Sequence, residues 1–109
     1  MARKKYSGLG SAGISNEIRK MVYRRDGYMC ALCGDPRGLV IHHYEPRAQG
    51  GADHPMNLIC LCGNCHMMVH GLMDPPADWL TVEEMQQAMA EYLGDTYADN
   101  GEVWYPWEG

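Results

Sequence analysis

The amino-acid sequence predicts a small α+β domain with a two-stranded antiparallel hairpin, flanking helices and a zinc site made of four cysteines. Two short apolar segments, residues 39–44 and 57–61, are bounded by turn-rich sequence and are typical of strands. Two Cys-x2-Cys pairs flank these segments, and patterns of helical period lie on either side of them. A chain of 109 residues is expected to form one domain, at a size where a metal often supplements a modest core.

The first predicted helix follows a basic N-terminal arm. Residues 1–13 are rich in Gly, Ser and basic side chains, so we expect a flexible arm there. Ser15 can cap a helix that continues to about Arg25, and Gly27 stands in the position that ends such a helix.

A hairpin and a short helix come next. The predicted strands at residues 39–44 and 57–61 pair across the loop "EPRAQGGADHPM", whose length and Gly and Pro content are usually functional. The segment "HMMVHGLM", residues 66–73, predicts a short helix that is stopped by the Asp-Pro-Pro segment beginning at Asp74.

The last predicted helix begins with a capping box, "TVEE", in which Thr81 and Glu84 exchange hydrogen bonds, and we expect it to end at Gly94. The tail "NGEVWYPWEG" either folds back on the domain or forms an oligomer contact, and the sequence leaves both open. We expect residues 14–73 to form the functional core, and residues 74–109 to supply a C-terminal helix and an acidic, aromatic tail packed on the same domain.

Five cysteines include two Cys-x2-Cys pairs, and this paired arrangement is typical of a structural zinc site. Glycine accompanies each pair and lets the backbone turn around the sulfurs, while four thiolates leave tetrahedral Zn²⁺ no open position. The predicted zinc ligands are Cys30, Cys33, Cys62 and Cys65. Cys60 lies on a predicted strand and is expected to be buried and inert. Disulfide pairing is the alternative, and it is disfavoured in the cytoplasmic location that we expect for a chain with no recognisable signal peptide.

The histidines form a second constellation. His42 and His43 are adjacent on a predicted strand, so their side chains point to opposite faces and should have different roles. His66 and His70 are four residues apart and share one helix face. Together with His42 they could hold a second ion that keeps open coordination positions, as catalytic metal sites do. The alternative is that these are ordinary surface or core histidines.

The sequence "CALCG … LVIHHYEPRAQGGADHPMNLICLCGNCHMMVH" resembles the HNH endonuclease family, in its zinc-bearing branch with the ββα-metal fold. The resemblance covers roughly residues 22–70. The residues at the H, N and H positions that name the family are His43, Asn57 and His66. His42 matches the metal-ligand position before the first H, and His70 matches a third-ligand position that many members lack.

The resemblance implies a mechanism in which the two neighbouring histidines act on opposite sides of a phosphate. His42 and His66, with His70, would hold a divalent ion against the phosphate, and His43 would take a proton from the attacking water. Asn57 would hold the hairpin loop, whose backbone in turn orients His43 and fixes its tautomer. The catalytic ion implied is Mn²⁺ or Mg²⁺, with Ni²⁺ and Co²⁺ as further options that suit imidazole ligands.

The charge of the chain is unevenly distributed. Residues 1–47 carry nine basic and four acidic side chains, whereas residues 48–109 carry ten acidic and no basic ones. This asymmetry indicates that one end meets a polyanion, although two solvated surfaces without a partner would have the same composition. The candidate phosphate-binding residues are Arg3, Lys4, Lys5, Arg24, Arg25, Arg37 and Arg47.

Taken with the resemblance, these features predict an endonuclease that hydrolyses DNA phosphodiester bonds and nicks one strand per active site. The competing interpretation is a non-catalytic zinc module that binds DNA or protein. No segment approaches the length of a membrane span. The sequence leaves open whether the protein forms a homodimer or acts with a packaging or restriction partner.

Overall fold

The structure, a computed structural model that describes residues 13–108, contains one two-stranded antiparallel sheet and three α-helices within that range. In chain order the elements are α1 (Asn16–Arg25), β1 (Val40–His43), β2 (Leu58–Leu61), α2 (Gly63–Val69) and α3 (Val82–Asp99). The predicted α+β class, with its hairpin, flanking helices and four clustered cysteines, is confirmed. The predicted arm lies outside the described residues except for Gly13, and three candidate cations lie there too: Arg3, Lys4 and Lys5.

The hairpin lies between two hydrophobic clusters. β1 and β2 pair with Val40 opposite Leu61 and His43 opposite Leu58, so side chains alternate between the two faces. One face packs against α1 through a cluster of Ile14, Val22, Ile41, Leu58 and Cys60. The other face contributes Ile59 and Leu61 to a cluster with side chains from α2 and α3. The sheet is thus held from both sides, and the histidine pair is at the end of β1.

Helix α1 has the start that the sequence predicted. The Ser15 hydroxyl accepts a hydrogen bond from the backbone N–H of Ile18, and the last helical residue is Arg25. Gly27 follows with φ of +73°, a left-handed conformation that glycine adopts without strain.

Helix α2 differs from its prediction at both ends, since it covers Gly63–Val69 rather than residues 66–73. It begins earlier because the Cys62 sulfur accepts a hydrogen bond from the backbone N–H of Cys65 and therefore acts as the cap. It ends earlier because Gly71 has φ of +73° and turns the chain away, which places His70 just beyond the last helical residue.

Helix α3 begins at the predicted capping box, in which Thr81 and Glu84 exchange hydrogen bonds of 2.9 and 3.1 Å. The prediction that Gly94 ends this helix was wrong, because the helix continues to Asp99. Gly94 instead lies against the Trp104 ring, where a Cβ would be 3.5 Å from the nearest ring carbon. Neither α3 nor any other helix within residues 13–108 is both long and apolar enough to cross a membrane.

The C-terminal tail folds back onto the hairpin loop, which is one of the two arrangements that the sequence left open. Ala52 donates its backbone N–H to the Pro106 carbonyl at 2.9 Å, and Glu108 donates to the Gly50 carbonyl at 2.7 Å. The Trp104 indole N–H donates to the Met56 carbonyl at 2.7 Å. The tail thus holds the loop that follows β1 from outside.

Candidate metal centres and active site

The four paired cysteines converge into one cluster. Their sulfur atoms all lie within 4.8 Å of one another, and those of Cys33 and Cys62 are 3.6 Å apart. In each pair the second cysteine donates its backbone N–H to the sulfur of the first, at 3.4 Å in both cases. The two pairs lie at the entrance and exit of the hairpin, so an ion held here would tie both ends together.

The chemistry of this cluster fits zinc. Thiolates held this closely repel one another, and a bound cation would offset that repulsion. Burial and the neighbouring Cys30 raise the pKa of the Cys65 thiol, so a bound cation is needed to keep the full set deprotonated. A set of four sulfur ligands is typical of tetrahedral Zn²⁺ and leaves no position for substrate. The cluster therefore indicates a structural zinc site.

Cys60 is separate from this cluster. It is fully buried on the α1 side of the hairpin, and burial raises the pKa of its thiol to about 12. A buried thiol of this kind is neutral at physiological pH and is a poor metal ligand.

A second cluster forms where the end of β1 meets α2. One ring nitrogen from each of His42, His66 and His70 lies within 4.8 Å of the others. The His42 ring is about equally far from the other two, with centroid distances of 5.2 Å to His66 and 5.1 Å to His70. The Nε2 atoms of His66 and His70 are 3.1 Å apart. Three imidazoles therefore converge, one from β1, one from α2 and one from the residue that follows α2.

The electrostatics of this second cluster favour neutral imidazoles. Burial, together with the nearby His66 and His70, lowers the pKa of His42 to about 3. Burial and His70 also lower the pKa of His66. Since a metal binds the neutral imidazole, protons compete weakly for these two nitrogens near neutral pH. The three residues could thus hold a divalent ion and leave further coordination positions open.

His43 has different surroundings from His42, as the alternation of side chains along β1 requires. It is 8% exposed, and its Nε2 atom is 2.7 Å from a carboxylate oxygen of Asp53. The resemblance had implied that the backbone of the loop orients His43. That expectation needs correction, because the contact is made by a side chain of the loop.

Asn57 is fully buried and holds the two ends of the hairpin loop together. Its side-chain carbonyl accepts the backbone N–H of Glu45 at 2.7 Å, and its amide donates to the carbonyls of Glu45 and Ala52 at 2.9 Å. Gly51 permits this arrangement, because a Cβ there would lie only 1.8 Å from the Glu45 carbonyl oxygen. Asn57 and Gly51 together determine the path of the loop.

Asp53 and Gly51 belong to the candidate site and were not predicted from the sequence. Gly51 could have been predicted, because a Gly-Gly pair in a functional loop is typical of a close backbone approach. The sequence indicated Asp53 more weakly, because its only distinction is that it is the single acidic residue of the segment "PRAQGGADHPMN".

The predicted phosphate-binding arginines divide into two groups. Arg24 is exposed, and Arg37 and Arg47 are exposed beside the carboxylates of Asp35 and Asp53. Arg25 needs correction, because its side chain is only 14% exposed and its guanidinium lies within the fold. It donates to the carboxylate of Asp26, the carbonyls of Pro55 and Leu58, and the Tyr97 hydroxyl. These bonds position α1 against the hairpin and α3, and Arg25 is therefore not among the proposed DNA contacts.

A comparison with protein-family models matches residues 30–71 to the family described as HNH endonuclease. The matched segment contains both cysteine pairs, the hairpin and the three clustered histidines. Comparisons with curated proteins and with solved structures gave no match. This match confirms, for this segment, the resemblance seen in the sequence. It indicates a domain of nuclease type that has a metal site and that interacts with nucleic acid.

Proposed function

From the HNH endonuclease domain at residues 30–71, we propose that this protein is a metal-dependent endonuclease that hydrolyses DNA phosphodiester bonds. The observation that carries the proposal is the position of His43 beside the three-histidine cluster. His43, a candidate base, is thus next in sequence to His42, which belongs to a candidate ion site with open coordination positions.

The proposed ligands of the catalytic ion are His42, His66 and His70. Their nitrogens converge, and burial keeps His42 neutral, so the donor set suits a divalent ion that accepts imidazole. When bound, such an ion would stabilise the negative charge that develops on the phosphate during the reaction. Mn²⁺ and Mg²⁺ are the ions proposed first, and Ni²⁺ and Co²⁺ match the softer imidazoles.

In the proposed reaction His43 is the general base. Its side chain points away from the His42 face of β1. His43 can therefore act on the opposite side of the phosphate from the ion and accept a proton from the attacking water there. Asn57 acts on the main chain of the loop and contributes by holding that loop in place. Each chain has one such constellation within the described range, so we propose that a single encounter cuts one strand.

The proposed DNA contacts come from exposed cations near the hairpin and from the N-terminal segment. The retained residues are Arg3, Lys4, Lys5, Arg24, Arg37 and Arg47. Their positive charges would neutralise backbone phosphates without reading sequence. Ten acidic side chains in residues 48–109 would keep the remaining surface away from DNA.

The test is conversion of supercoiled plasmid to the nicked form by zinc-loaded protein with added Mn²⁺. Wild-type protein should nick, and His43→Ala should lose at least about a hundredfold in rate while it still binds DNA, because it lacks the base. His66→Ala should be weakly active, and excess Mn²⁺ should restore part of its rate.

His54→Asn is the matched control, because His54 is exposed and an asparagine keeps a hydrogen-bond acceptor at its turn-capping position. It should nick at a rate close to wild type. Zinc content and circular dichroism show that each variant is folded. A folded His43→Ala protein that nicks as fast as wild type would contradict the assignment, and no nicking by wild type with any of the four metals would favour a non-catalytic zinc module.

A further inference from the structure

The contact between His43 and Asp53 has features that go beyond a surface ion pair. The His43 ring is almost completely buried, with 8% of its surface exposed, whereas Asp53 lies on the hairpin loop and is 42% exposed. The two residues are ten positions apart, and the loop brings them to 2.7 Å between Nε2 and Oδ1. A buried ring held at one nitrogen by a carboxylate has a restricted orientation.

The direction of this hydrogen bond follows from the state of Asp53. Partial burial opposes ionisation of this carboxyl, but hydrogen bonds from Arg47 and His43 prevail and keep its pKa below the ordinary value. The Arg47 Nε atom donates to the same oxygen at 2.9 Å. An ionised carboxylate can only accept hydrogen bonds, so the proton in the His43 contact belongs to Nε2.

In the neutral imidazole, which carries a single N–H, Nδ1 is then the nitrogen with the lone pair. Among residues 13–108, the side-chain hydrogen bond of His43 is made by Nε2. No buried side-chain nitrogen or oxygen in that range lacks a hydrogen-bond partner. Nδ1 therefore contacts solvent, where a water molecule can approach it.

We propose that Asp53 is a positioning residue that holds His43 in the tautomer protonated at Nε2, so that Nδ1 is the atom that accepts the proton from water. This inference rests on the proposed function for its catalytic meaning, but the tautomer itself is a property of the protein without DNA.

In the proposed step, water attacks phosphorus while His43 acts as the base. The Nδ1 lone pair takes a proton from water while the water oxygen forms its bond to phosphorus. The bond from phosphorus to the leaving oxygen breaks, and that oxygen departs with the electron pair and takes a proton from solvent. His43 becomes an imidazolium, whose charge is balanced by the Asp53 carboxylate until Nδ1 returns its proton to solvent.

The first measurement is nitrogen-15 NMR of histidine-labelled, zinc-loaded protein at pH 7.5, without DNA. The five histidines are assigned with single substitutions, including His43→Gln. Wild-type His43 should show a protonated Nε2 and an unprotonated Nδ1. In Asp53→Ala, the two nitrogen shifts should move toward the averaged values of an imidazole that exchanges between tautomers.

The second measurement separates positioning from DNA binding by steady-state nicking kinetics. Asp53→Ala should lower kcat about tenfold to a hundredfold, as loss of an orienting partner typically does, with KM for DNA close to wild type. Arg47→Ala is the matched comparison, because Arg47 contacts the same carboxylate oxygen. It should raise KM and leave the His43 tautomer unchanged. Asp95→Ala removes an exposed carboxylate from α3 and should change neither value.

Two results would overturn the inference. One is a wild-type His43 protonated at Nδ1, and the other is a folded Asp53→Ala protein with the wild-type tautomer and kcat. A wild-type protein that does not nick DNA would instead count against the proposed function, and the NMR spectra would still decide the tautomer.

Discussion

At the level of single residues, Cys60 and Cys65 are both buried, but the structure gives them different neighbours. The Cys65 sulfur lies with three other sulfurs, whereas Cys60 packs among apolar side chains on the α1 side of the sheet. A zinc ligand loses the metal when it is replaced, and with it the folding free energy that the metal supplies. A buried neutral thiol contributes packing and little else.

We therefore expect Cys65→Ser to give a largely unfolded or aggregated chain without zinc. Cys60→Ser should fold with one zinc per chain, at a stability cost of about 1–3 kcal/mol for a buried hydroxyl. Zinc content by atomic absorption and thermal unfolding by circular dichroism measure both outcomes. Loss of zinc from Cys60→Ser, or a folded, zinc-free Cys65→Ser protein, would show that the zinc ligands are wrongly assigned.

His42 and His43 show how one residue of displacement on a strand changes the environment of the same side chain. His42 faces α2 and has two imidazole neighbours, while His43 faces the loop and contacts Asp53. The His42 ring thus lies beside two potential metal ligands, whereas the His43 ring contacts a carboxylate. This difference supports the roles proposed here, with His42 as a metal ligand and His43 as a base.

At the level of elements, the hairpin loop is held by three separate devices. Asn57 joins its two ends from inside, the C-terminal tail binds Gly50 and Ala52 from outside, and Gly51 lets the chain pass Glu45 closely. The loop is long but is held by many hydrogen bonds, so the position of Asp53 depends on contacts from segments that are distant in sequence.

Gly51→Ala should disrupt this element. The new Cβ would lie 1.8 Å from the Glu45 carbonyl oxygen and 2.8 Å from the Asn57 amide, so the backbone must move. We expect a loss of at least about 1–3 kcal/mol in unfolding free energy, as overpacking typically costs, and a marked loss of nicking.

Gly94→Ala is the control for this prediction. Its Cβ would be 3.5 Å from the Trp104 ring, an ordinary contact, and alanine favours the interior of α3. Chemical denaturation should show Gly94→Ala at or above wild-type stability. Equal stability and nicking for the two variants would mean that the loop tolerates a side chain at position 51.

At the level of the whole molecule, the separation of charge along the chain predicts how DNA affinity depends on salt. The basic residues all precede position 48, and seven of the ten acidic residues beyond it lie between residues 78 and 102. Phosphate contacts release counterions, so affinity should fall steeply as salt rises.

Deletion of residues 1–7 removes three cations and should reduce the slope of log affinity against log salt by up to about 3. A triple alanine variant of Arg3, Lys4 and Lys5 keeps the chain length and should behave in the same way. The slope is measured by fluorescence anisotropy with a labelled DNA duplex, at salt concentrations from about 50 to about 200 mM. An unchanged slope in both variants would remove the N-terminal cations from the DNA contacts.

Local sequence by itself determined much of the fold of this protein. The cysteine spacing, the capping residues Ser15 and Thr81, and the alternation along β1 all depend on neighbours within a few positions. Steric and hydrogen-bonding preferences over that range are the same in most folds, so the hairpin and the start of two helices could be predicted. The opposite directions of His42 and His43 follow from the same strand geometry.

Only the tertiary structure decided what depends on packing between distant segments. Arg25 bonds to Tyr97, 72 residues away, and its largely buried guanidinium therefore has a structural position within the fold. The Trp104 ring lies beside Gly94 within α3, and Asp53 contacts His43 from a loop that is held by Asn57 and the tail. The intrinsic preferences involved are about 1 kcal/mol or less per residue, which long-range hydrogen bonds and buried area readily exceed.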